Sequence, residues 1–133
     1  MKCLIIGGSG FTGRNIIELL NKKRSLYFII WYSKKDNEAN DHIIGNISDY
    51  NKLNSSMKGI DYVFNLAAVT SPPEFEEINS NGYEINIIGT YNILKAAYKN
   101  NVKKVILASS SAVYGNTNMP VKEDMVTDAR LKT

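Results

Sequence analysis

The sequence is poor in the residues that indicate a disulfide scaffold, a metal centre or a membrane protein. Its 133 residues include one cysteine, Cys3, one histidine, His42, and three prolines. One cysteine cannot form a disulfide within the chain, and a single histidine without clustered cysteines or carboxylates does not indicate a metal site. No apolar run approaches the roughly 20 residues that a membrane-spanning helix needs. We therefore predict no metal and no membrane partner.

The charge is nearly balanced. Sixteen basic and 13 acidic residues leave a formal net charge of +3, which does not by itself indicate a nucleic-acid partner. The first residues show no signal peptide, because only one basic residue precedes a short apolar stretch. With 44% hydrophobic residues the chain can bury one core, so we expect a single cytoplasmic globular domain. Cys3 falls in the apolar stretch and is expected to be a buried, unreactive thiol.

Apolar segments of strand length alternate with helical patterns along the chain. Strands are predicted at 2–6, 26–32, 42–44, 61–67 and 102–108, and helices at 10–23, 48–57 and 83–100, the second with Ser48 or Asn46 as its N-cap. Near-continuous apolar strands joined by crossovers predict an α/β fold: a doubly wound, Rossmann-type parallel sheet with helices on both faces. Ligands of such sheets bind beyond the carboxyl ends of the strands.

Four glycines surround the end of the first predicted strand. Gly7, Gly10 and Gly13 satisfy G-x-x-G-x-x-G, and Gly8, Gly10 and Gly13 satisfy G-x-G-x-x-G. A dinucleotide diphosphate needs backbone N–H donors at a helix N-terminus and no Cβ in its path. The alternative is a tight strand-to-helix turn that binds nothing. The position between a strand and an amphipathic helix favours the diphosphate site.

Four later segments each follow or open a predicted element. They are 45–49 (GNISD), 65–68 (NLAA), 86–92 (NIIGTYN) and 109–115 (SSSAVYG). In this order, together with the glycine loop, they resemble the extended short-chain dehydrogenase/reductase family, and specifically the NAD-dependent epimerase/dehydratases that act on nucleotide sugars. The resemblance covers nearly the whole chain and implies a nicotinamide dinucleotide cofactor and a nucleotide-sugar substrate.

The resemblance also implies roles for single residues. The implied cofactor contacts are Gly7, Gly10, Phe11, Thr12 and Gly13 at the diphosphate, Asn46 and Ile47 at the adenine, and Ala67 and Ala68 at the ribose. Asn86 resembles a helix asparagine that ties neighbouring strands through backbone hydrogen bonds. Ser110, four residues before Tyr114, matches the catalytic Ser or Thr. Three consecutive serines leave that register open by one residue, so Ser111 is the second candidate.

The end of the second strand departs from the NAD-specific pattern. Members that use NAD carry an acidic residue there, which binds the adenosine ribose. At that place this chain has Trp31 or Tyr32, and Ser33, Lys34 and Lys35 follow. A hydroxyl and an ammonium group suit a 2′-phosphate, so the cofactor is NAD or NADP with NADP favoured. The alternative is that the lysines only solvate a loop.

The second departure concerns the catalytic base. The family's Tyr-x-x-x-Lys pair should follow the serine by roughly 25 residues, and the sequence ends at Thr133 before that point. Tyr91 and Lys95 match the string, but they belong to the preceding helix, where core or helix–helix packing is predicted for a face that also includes Ile87, Leu94 and Tyr98.

Residues 1–133 are thus expected to form the NAD(P)-binding domain without the Tyr–Lys helix and the substrate-binding segment. The leading hypothesis is the N-terminal part of an epimerase, dehydratase or reductase that supplies the catalytic serine. The alternatives are a noncatalytic dinucleotide-binding module or sensor, or a truncated product without activity. The resemblance also implies a homodimer through the 83–100 helix. A sheet cut after five strands leaves apolar surface uncovered, so we expect marginal stability or self-association.

Overall fold

The fold is a parallel sheet of five strands in the order β3-β2-β1-β4-β5. A computed structural model describes residues 1–22, 27–32, 42–70, 82–115 and 120–125. The strands are β1 Lys2–Ile6, β2 Tyr27–Tyr32, β3 His42–Ile44, β4 Tyr62–Asn65 and β5 Lys104–Leu107. The α-helices are α1 Phe11–Asn21, α2 Tyr50–Ser56 and α3 Thr90–Lys99, and a π-helical turn, Glu84–Gly89, leads directly into α3. These elements confirm the predicted doubly wound sheet.

The strand order reverses direction between β1 and β4. From β1 the chain proceeds to β2 and β3 on one side, and from β4 it proceeds to β5 on the other. Since crossovers between parallel strands are right-handed, α1 and α3 cover opposite faces of the sheet. The connections that leave the carboxyl ends of β1 and β4 therefore run in opposite directions. This is a topological switch point, where doubly wound sheets bind their ligands.

The larger hydrophobic core lies between the sheet and the α2–α3 pair. Its buried members are Leu4, Ile6, Ile47, Leu53, Met57, Ile60, Val63, Ile93, Ala96 and Ala97. Cys3 and Ile5 alternate with these strand residues and are buried toward the opposite face. Burial raises the pKa of the Cys3 thiol, and the nearby Asp61 carboxylate raises it further. The prediction of a buried cysteine is confirmed, and a raised pKa disfavours its reactive thiolate.

The N-cap of helix α2 lies one residue after Ser48 and three residues after Asn46, the two predicted caps. Asp49 is the N-cap, and its Oδ1 accepts a hydrogen bond from the backbone N–H of Lys52 at 3.0 Å. The prediction of Ser48 or Asn46 as the cap is wrong. Asn46 instead accepts from the backbone N–H of Ser48 at 3.0 Å, which closes a separate turn before the helix. Asparagine and aspartate both favour such local bonds, and the extra turn decides which of them starts the helix.

The long helix buries a different face from the one predicted for core or helix–helix packing. Its buried side consists of Asn92, Ile93, Ala96 and Ala97. The predicted apolar face remains exposed, from 47% for Leu94 to 88% for Tyr98, and it also includes Tyr83, Ile87 and Tyr91. Of the two alternatives predicted for Tyr91, packing in the core of this chain is therefore wrong, and helix–helix packing with another copy stays a prediction. Small residues on the inner side allow α3 to approach α2 and the sheet closely, and the large residues are left outside.

The amino-terminal edge of the sheet is held by one carboxylate. Asp61 Oδ2 accepts from the backbone N–H of Lys2 at 2.8 Å, and Oδ1 lies 2.7 Å from Lys103 Nζ. The hydrogen bond from Lys103, followed by that from Lys2, lowers the pKa of Asp61, while the pKa of Lys103 is raised by the same pair. The pair joins the starts of β1, β4 and β5.

Candidate functional site

The turn after β1 packs directly on the end of β4. Gly7 has a φ of +82°, and a Cβ at this position would lie 2.8 Å from the backbone N of Ala67 and 2.8 Å from the carbonyl carbon of Leu66. Only glycine combines that backbone conformation with so close an approach. The structure therefore brings together two of the segments that the sequence assigned to the cofactor, the glycine loop and the end of β4.

Gly13 and Gly10 differ in how much space the fold leaves for a side chain. A Cβ at Gly13 would lie 2.5 Å from the carbonyl oxygen of Gly7 and 2.7 Å from Cα of Gly8, so the packing of α1 on the turn excludes it. A Cβ at Gly10 would meet only the Gly7 oxygen, at 3.4 Å, and the φ of Gly10 is −73°. Within the described residues, the fold gives no strong reason for glycine at this position.

The first turn of α1 offers unobstructed backbone donors. Gly10 is the N-cap and supplies no side-chain acceptor, and the first turn contains no acidic residue. The first backbone N–H groups of an α-helix have no carbonyl partner within the helix, and here they belong to Phe11, Thr12 and Gly13. The helix dipole adds partial positive charge at this end. The Phe11 side chain is 87% exposed. The hydrogen-bond donors that this turn offers to an anion are therefore backbone groups rather than side chains.

The two residues assigned to the adenine contribute in different ways. Asn46 is exposed just beyond β3. Ile47 is only 4% exposed, and its side chain lies in the core against Gly89. A ligand beside this loop can therefore contact the Asn46 side chain and the backbone of Ile47. The Ile47 side chain is buried and is not accessible to it.

Three asparagines attach the loops of the carboxyl edge to the body of the fold. Asn65 is 1% exposed and accepts from the backbone N–H of Ala67 at 3.3 Å. The Asn86 side chain accepts from the N–H of Val69 and donates to its carbonyl, both at 2.9 Å. Asn92 donates to the carbonyls of residues 47 and 48 at 3.3 and 3.0 Å. Asn86 thus bonds backbone as predicted, but both bonds are to Val69, and a tie between neighbouring strands stays a prediction.

Sequence reasoning did not assign Asn65 and Asn92 a role of their own. The signal that could have found Asn92 is a polar residue beside Ile93 on the small-residue side of α3, where a buried amide must find partners. Asn65 ends an apolar strand, and its Nδ2 lies 3.4 Å from Thr90 Oγ1. A polar residue at the carboxyl end of a buried strand gives the same kind of signal.

The serine segment follows β5 along the same edge. The N–H of Ala108 donates to the carbonyl of Asn65 at 3.0 Å, so this segment starts beside the end of β4. Ser110 is the N-cap of a 3₁₀ turn, Ser111–Tyr114, and its Oγ accepts from the backbone N–H of Ala112 at 3.1 Å. That bond fixes the oxygen and leaves the hydroxyl proton available to a ligand. Both Ser110 and Ser111 are exposed.

Several predicted positions cannot be placed in the site. Tyr32 ends β2, and only its backbone is described. Ser33 and Lys34, which favoured NADP, lie outside the described residues. Ala68 is exposed beside Ala67 at the end of β4.

Across the described part of the chain, no group of three or more potential metal ligands is found, and no helix has the length and apolar character needed to cross a membrane.

The sequence profile of the NAD dependent epimerase/dehydratase family matches residues 3–133. The chain belongs to this family. It is 37% identical to a UDP-N-acetyl-alpha-D-glucosaminuronate decarboxylase from Bacillus cytotoxicus over 131 residues, 92% of this chain and 40% of the decarboxylase. It is 33% identical to the mouse sterol-4-alpha-carboxylate 3-dehydrogenase (decarboxylating), over 84% of this chain and 30% of that enzyme.

A solved structure supports the same assignment. UDP-glucose 4-epimerase from Stenotrophomonas maltophila, with bound NAD and formylated UDP-arabinopyranose, superposes with a TM-score of 0.82 at 26% identity. The match covers 98% of this chain and 43% of the epimerase. This family member therefore spans about two fifths of the length of the decarboxylase and the epimerase that it matches. The relatives include enzymes of UDP-sugars, and the epimerase structure holds NAD.

Proposed function

We propose that this chain binds a nicotinamide dinucleotide, and that it is the N-terminal, cofactor-binding part of a nucleotide-sugar epimerase, dehydratase or reductase. The main support is the turn after β1, where Gly7 packs against the Leu66–Ala67 backbone and the first turn of α1 has neither a side-chain cap nor an acidic residue. Gly7, Gly10, Phe11, Thr12 and Gly13 would hold the diphosphate through backbone N–H groups. When bound, the nicotinamide supplies hydride transfer.

Gly10 provides the test of this site. Because a Cβ at Gly10 meets the protein only at 3.4 Å, alanine should be accommodated by the fold while its methyl group obstructs a diphosphate. We expect Gly10→Ala to weaken NAD binding by roughly tenfold or more, with a small change in melting temperature. Isothermal titration calorimetry of both proteins with NAD measures the first quantity, and thermal denaturation measures the second.

Two results would contradict the proposal. One is the absence of any NAD or NADP binding to the unsubstituted protein. The other is a Gly10→Ala variant that binds the dinucleotide as well as the original chain does. Asn15→Ala on α1 is a matched control, since Asn15 bonds only the Phe11 carbonyl at 2.8 Å among the contacts described for its side chain. We expect that variant to retain its affinity.

The cofactor preference depends on residues after β2. Ser33 and Lys34 favour a 2′-phosphate in the sequence, which supports NADP, whereas the epimerase structure contains NAD. Parallel titrations with NAD and NADP give the ratio of dissociation constants. If Lys34 recognises the phosphate, Lys34→Ala should reduce a preference for NADP and leave NAD affinity unchanged. Equal ratios before and after the substitution would remove Lys34 from the site.

Ser110 is the favoured catalytic serine. Its oxygen already accepts from the Ala112 N–H, so its hydroxyl can donate to a sugar oxygen during hydride transfer. Ser111, the alternative, begins the 3₁₀ turn itself. The proposed chemistry also requires a tyrosine base with a lysine partner.

The proposed substrate class is a UDP-sugar, and a sterol carboxylate is the competing one. The 37% identity to a UDP-sugar decarboxylase favours the first, and the 33% identity to the mouse sterol enzyme supplies the second. Titration of the NAD complex with UDP-glucose, and separately with a 4α-carboxysterol in detergent, distinguishes them. Binding of the cofactor without either substrate would instead favour a noncatalytic module or sensor.

We also propose that two copies associate through the outer face of the long helix. That face presents Tyr83, Ile87, Tyr91, Leu94 and Tyr98, all of them largely exposed apolar or aromatic side chains. In soluble proteins, large exposed apolar surfaces of this kind mark sites of interaction with other molecules. A second copy would cover them with an identical helix by two-fold symmetry.

The oligomeric state tests the dimer. Analytical ultracentrifugation of the chain should give a dimer, and Leu94→Glu should shift it to a monomer without loss of helical circular dichroism. Lys99→Glu, at the end of α3 and outside this face, is the matched charge control and should remain dimeric. A monomer before any substitution would contradict the proposal.

A further inference from the structure

One buried amide on α3 holds the loop that follows β3. Asn92 is 8% exposed, and its Nδ2 donates to the carbonyl of Ser48 at 3.0 Å and to that of Ile47 at 3.3 Å. Both acceptors are backbone groups of the loop that carries Asn46. A side chain that bonds backbone fixes the course of the loop whatever side chains the loop itself carries.

The preceding turn of the same helix receives the side chain of that loop. Ile47 packs on Gly89, and a methyl group at Gly89 would lie 2.5 Å from Cγ1 of Ile47. Ile47 is buried in the core, so its side chain has little room to move away. Gly89 and Asn92 are three residues apart and therefore share a face of the helix. One seats the isoleucine side chain, and the other bonds its carbonyl.

We infer that Asn92 is a positioning residue for the adenine half of the cofactor. It acts through the Asn46–Ile47 loop rather than by touching the ligand, since its amide is buried beneath that loop. The inference rests on the proposed dinucleotide site and adds to it the residue that fixes the loop at the adenine end. Without the Asn92 amide, two loop carbonyls lose their donor, and the loop can relax away from the geometry that the adenine requires.

The consequence for binding is specific to one half of the ligand. Asn92→Ala should weaken binding of NAD by roughly tenfold, and binding of ADP, which contains the adenine half, by a similar factor. Binding of reduced nicotinamide mononucleotide should be unchanged, because the loop after β3 lies at the adenine end. Asn92→Asp keeps the shape but turns the donor into an acceptor facing two carbonyls, so the loss should be at least as large. Ligand-observed NMR competition measures the weaker fragments.

Asn100 is the matched control on the same helix. Its Nδ2 donates to the Asn54 carbonyl at 3.2 Å and to Asn54 Oδ1 at 2.9 Å, and so joins α3 to α2 at the opposite end. Asn100→Ala therefore removes a comparable amide tether far from the proposed site. We expect both alanine variants to melt at lower temperature, and only Asn92→Ala to lose affinity for ADP.

The outcomes separate this inference from the proposed function. If the unsubstituted chain binds neither NAD nor NADP, the dinucleotide site itself is wrong. If it binds NAD, and Asn92→Ala binds ADP as well as the Asn100→Ala control does, the positioning role is wrong. Equal losses for ADP and reduced nicotinamide mononucleotide would also overturn it, since they would indicate general destabilisation. Gly89→Ala, which displaces Ile47 from the same loop, provides an independent variant and should reproduce the selective loss for ADP.

Discussion

Two glycines with similar backbone angles stand at opposite edges of the sheet and serve different purposes. Gly7, at the carboxyl edge, has a φ of +82° and is enclosed by the backbone of Leu66 and Ala67. Gly59, at the amino edge, has a φ of +71°, and a Cβ there would meet nothing within 4 Å. The backbone angle alone marks a turn. Crowding by backbone atoms distinguishes the Gly7 turn, which forms part of the candidate site, from the Gly59 turn.

The two edges are also held by different forces. Side-chain amides fix the loops at the carboxyl edge, two of them buried (Asn65 and Asn92) and one half-buried (Asn86), and these groups do not titrate. At the amino edge the fixing group is a carboxylate, Asp61, paired with a largely exposed Lys103. The carboxyl edge should therefore keep its geometry across a range of pH and salt that weakens the amino edge.

The largest effect is expected from Gly13→Ala. The added methyl group would lie 2.5 Å from the Gly7 oxygen and 2.7 Å from the Gly8 Cα, both of them backbone atoms that cannot rotate away. We expect a loss of roughly 3 kcal/mol in the free energy of unfolding, together with loss of NAD binding. Urea denaturation followed by circular dichroism measures the stability. A variant as stable as the original would show that α1 does not pack as described.

A smaller effect is expected from Gly59→Ala at the other edge. Open space surrounds this position, so the substitution strains only the backbone angle, at a cost of about 1 kcal/mol. NAD affinity should be unchanged. The same denaturation experiment and a calorimetric titration test it, and a loss as large as that of Gly13→Ala would remove the distinction between the two glycines.

The smallest effect is expected from Asp61→Asn, and it depends on pH. The pKa of Asp61 is lowered in the folded chain, so its contribution is present above the unfolded-state pKa of about 4 and is lost as pH falls through the folded value. The difference in melting temperature between the two proteins should be constant from pH 7 to about pH 5 and should narrow as the pH is lowered further. Curves that remain parallel would indicate that the Lys103 pair does not stabilise the fold.

Much of the fold was accessible from the sequence because its strands are short, apolar and bounded by glycine or polar residues. Lys2–Ile6 and His42–Ile44 agree with the predicted bounds. Strand β4 ends at Asn65 rather than at residue 67, because Asn65 turns its side chain to the Ala67 N–H and starts the loop. The family assignment followed from segments at strand ends, and the profile match over residues 3–133 confirms it.

The outer face of the long helix marks the limit of periodicity as evidence. Tyr91 and Leu94 repeat at helical spacing, which predicts an apolar face but does not specify what covers it. The side that packs carries Gly89, Ala96 and Ala97, because small residues allow a helix to lie close to its neighbours. A hydrophobicity pattern weights large residues most strongly, so it indicated the outer face for core or helix–helix packing.

The sequence by itself determined the parallel sheet, the glycine turn and the family, since these depend on local patterns and on residue types that few other arrangements accept. Tertiary structure alone decided that Asn92 holds the loop after β3. The reason is physical: that role depends on a distance between two residues 45 positions apart in the chain, and such a distance exists only once the sheet has formed.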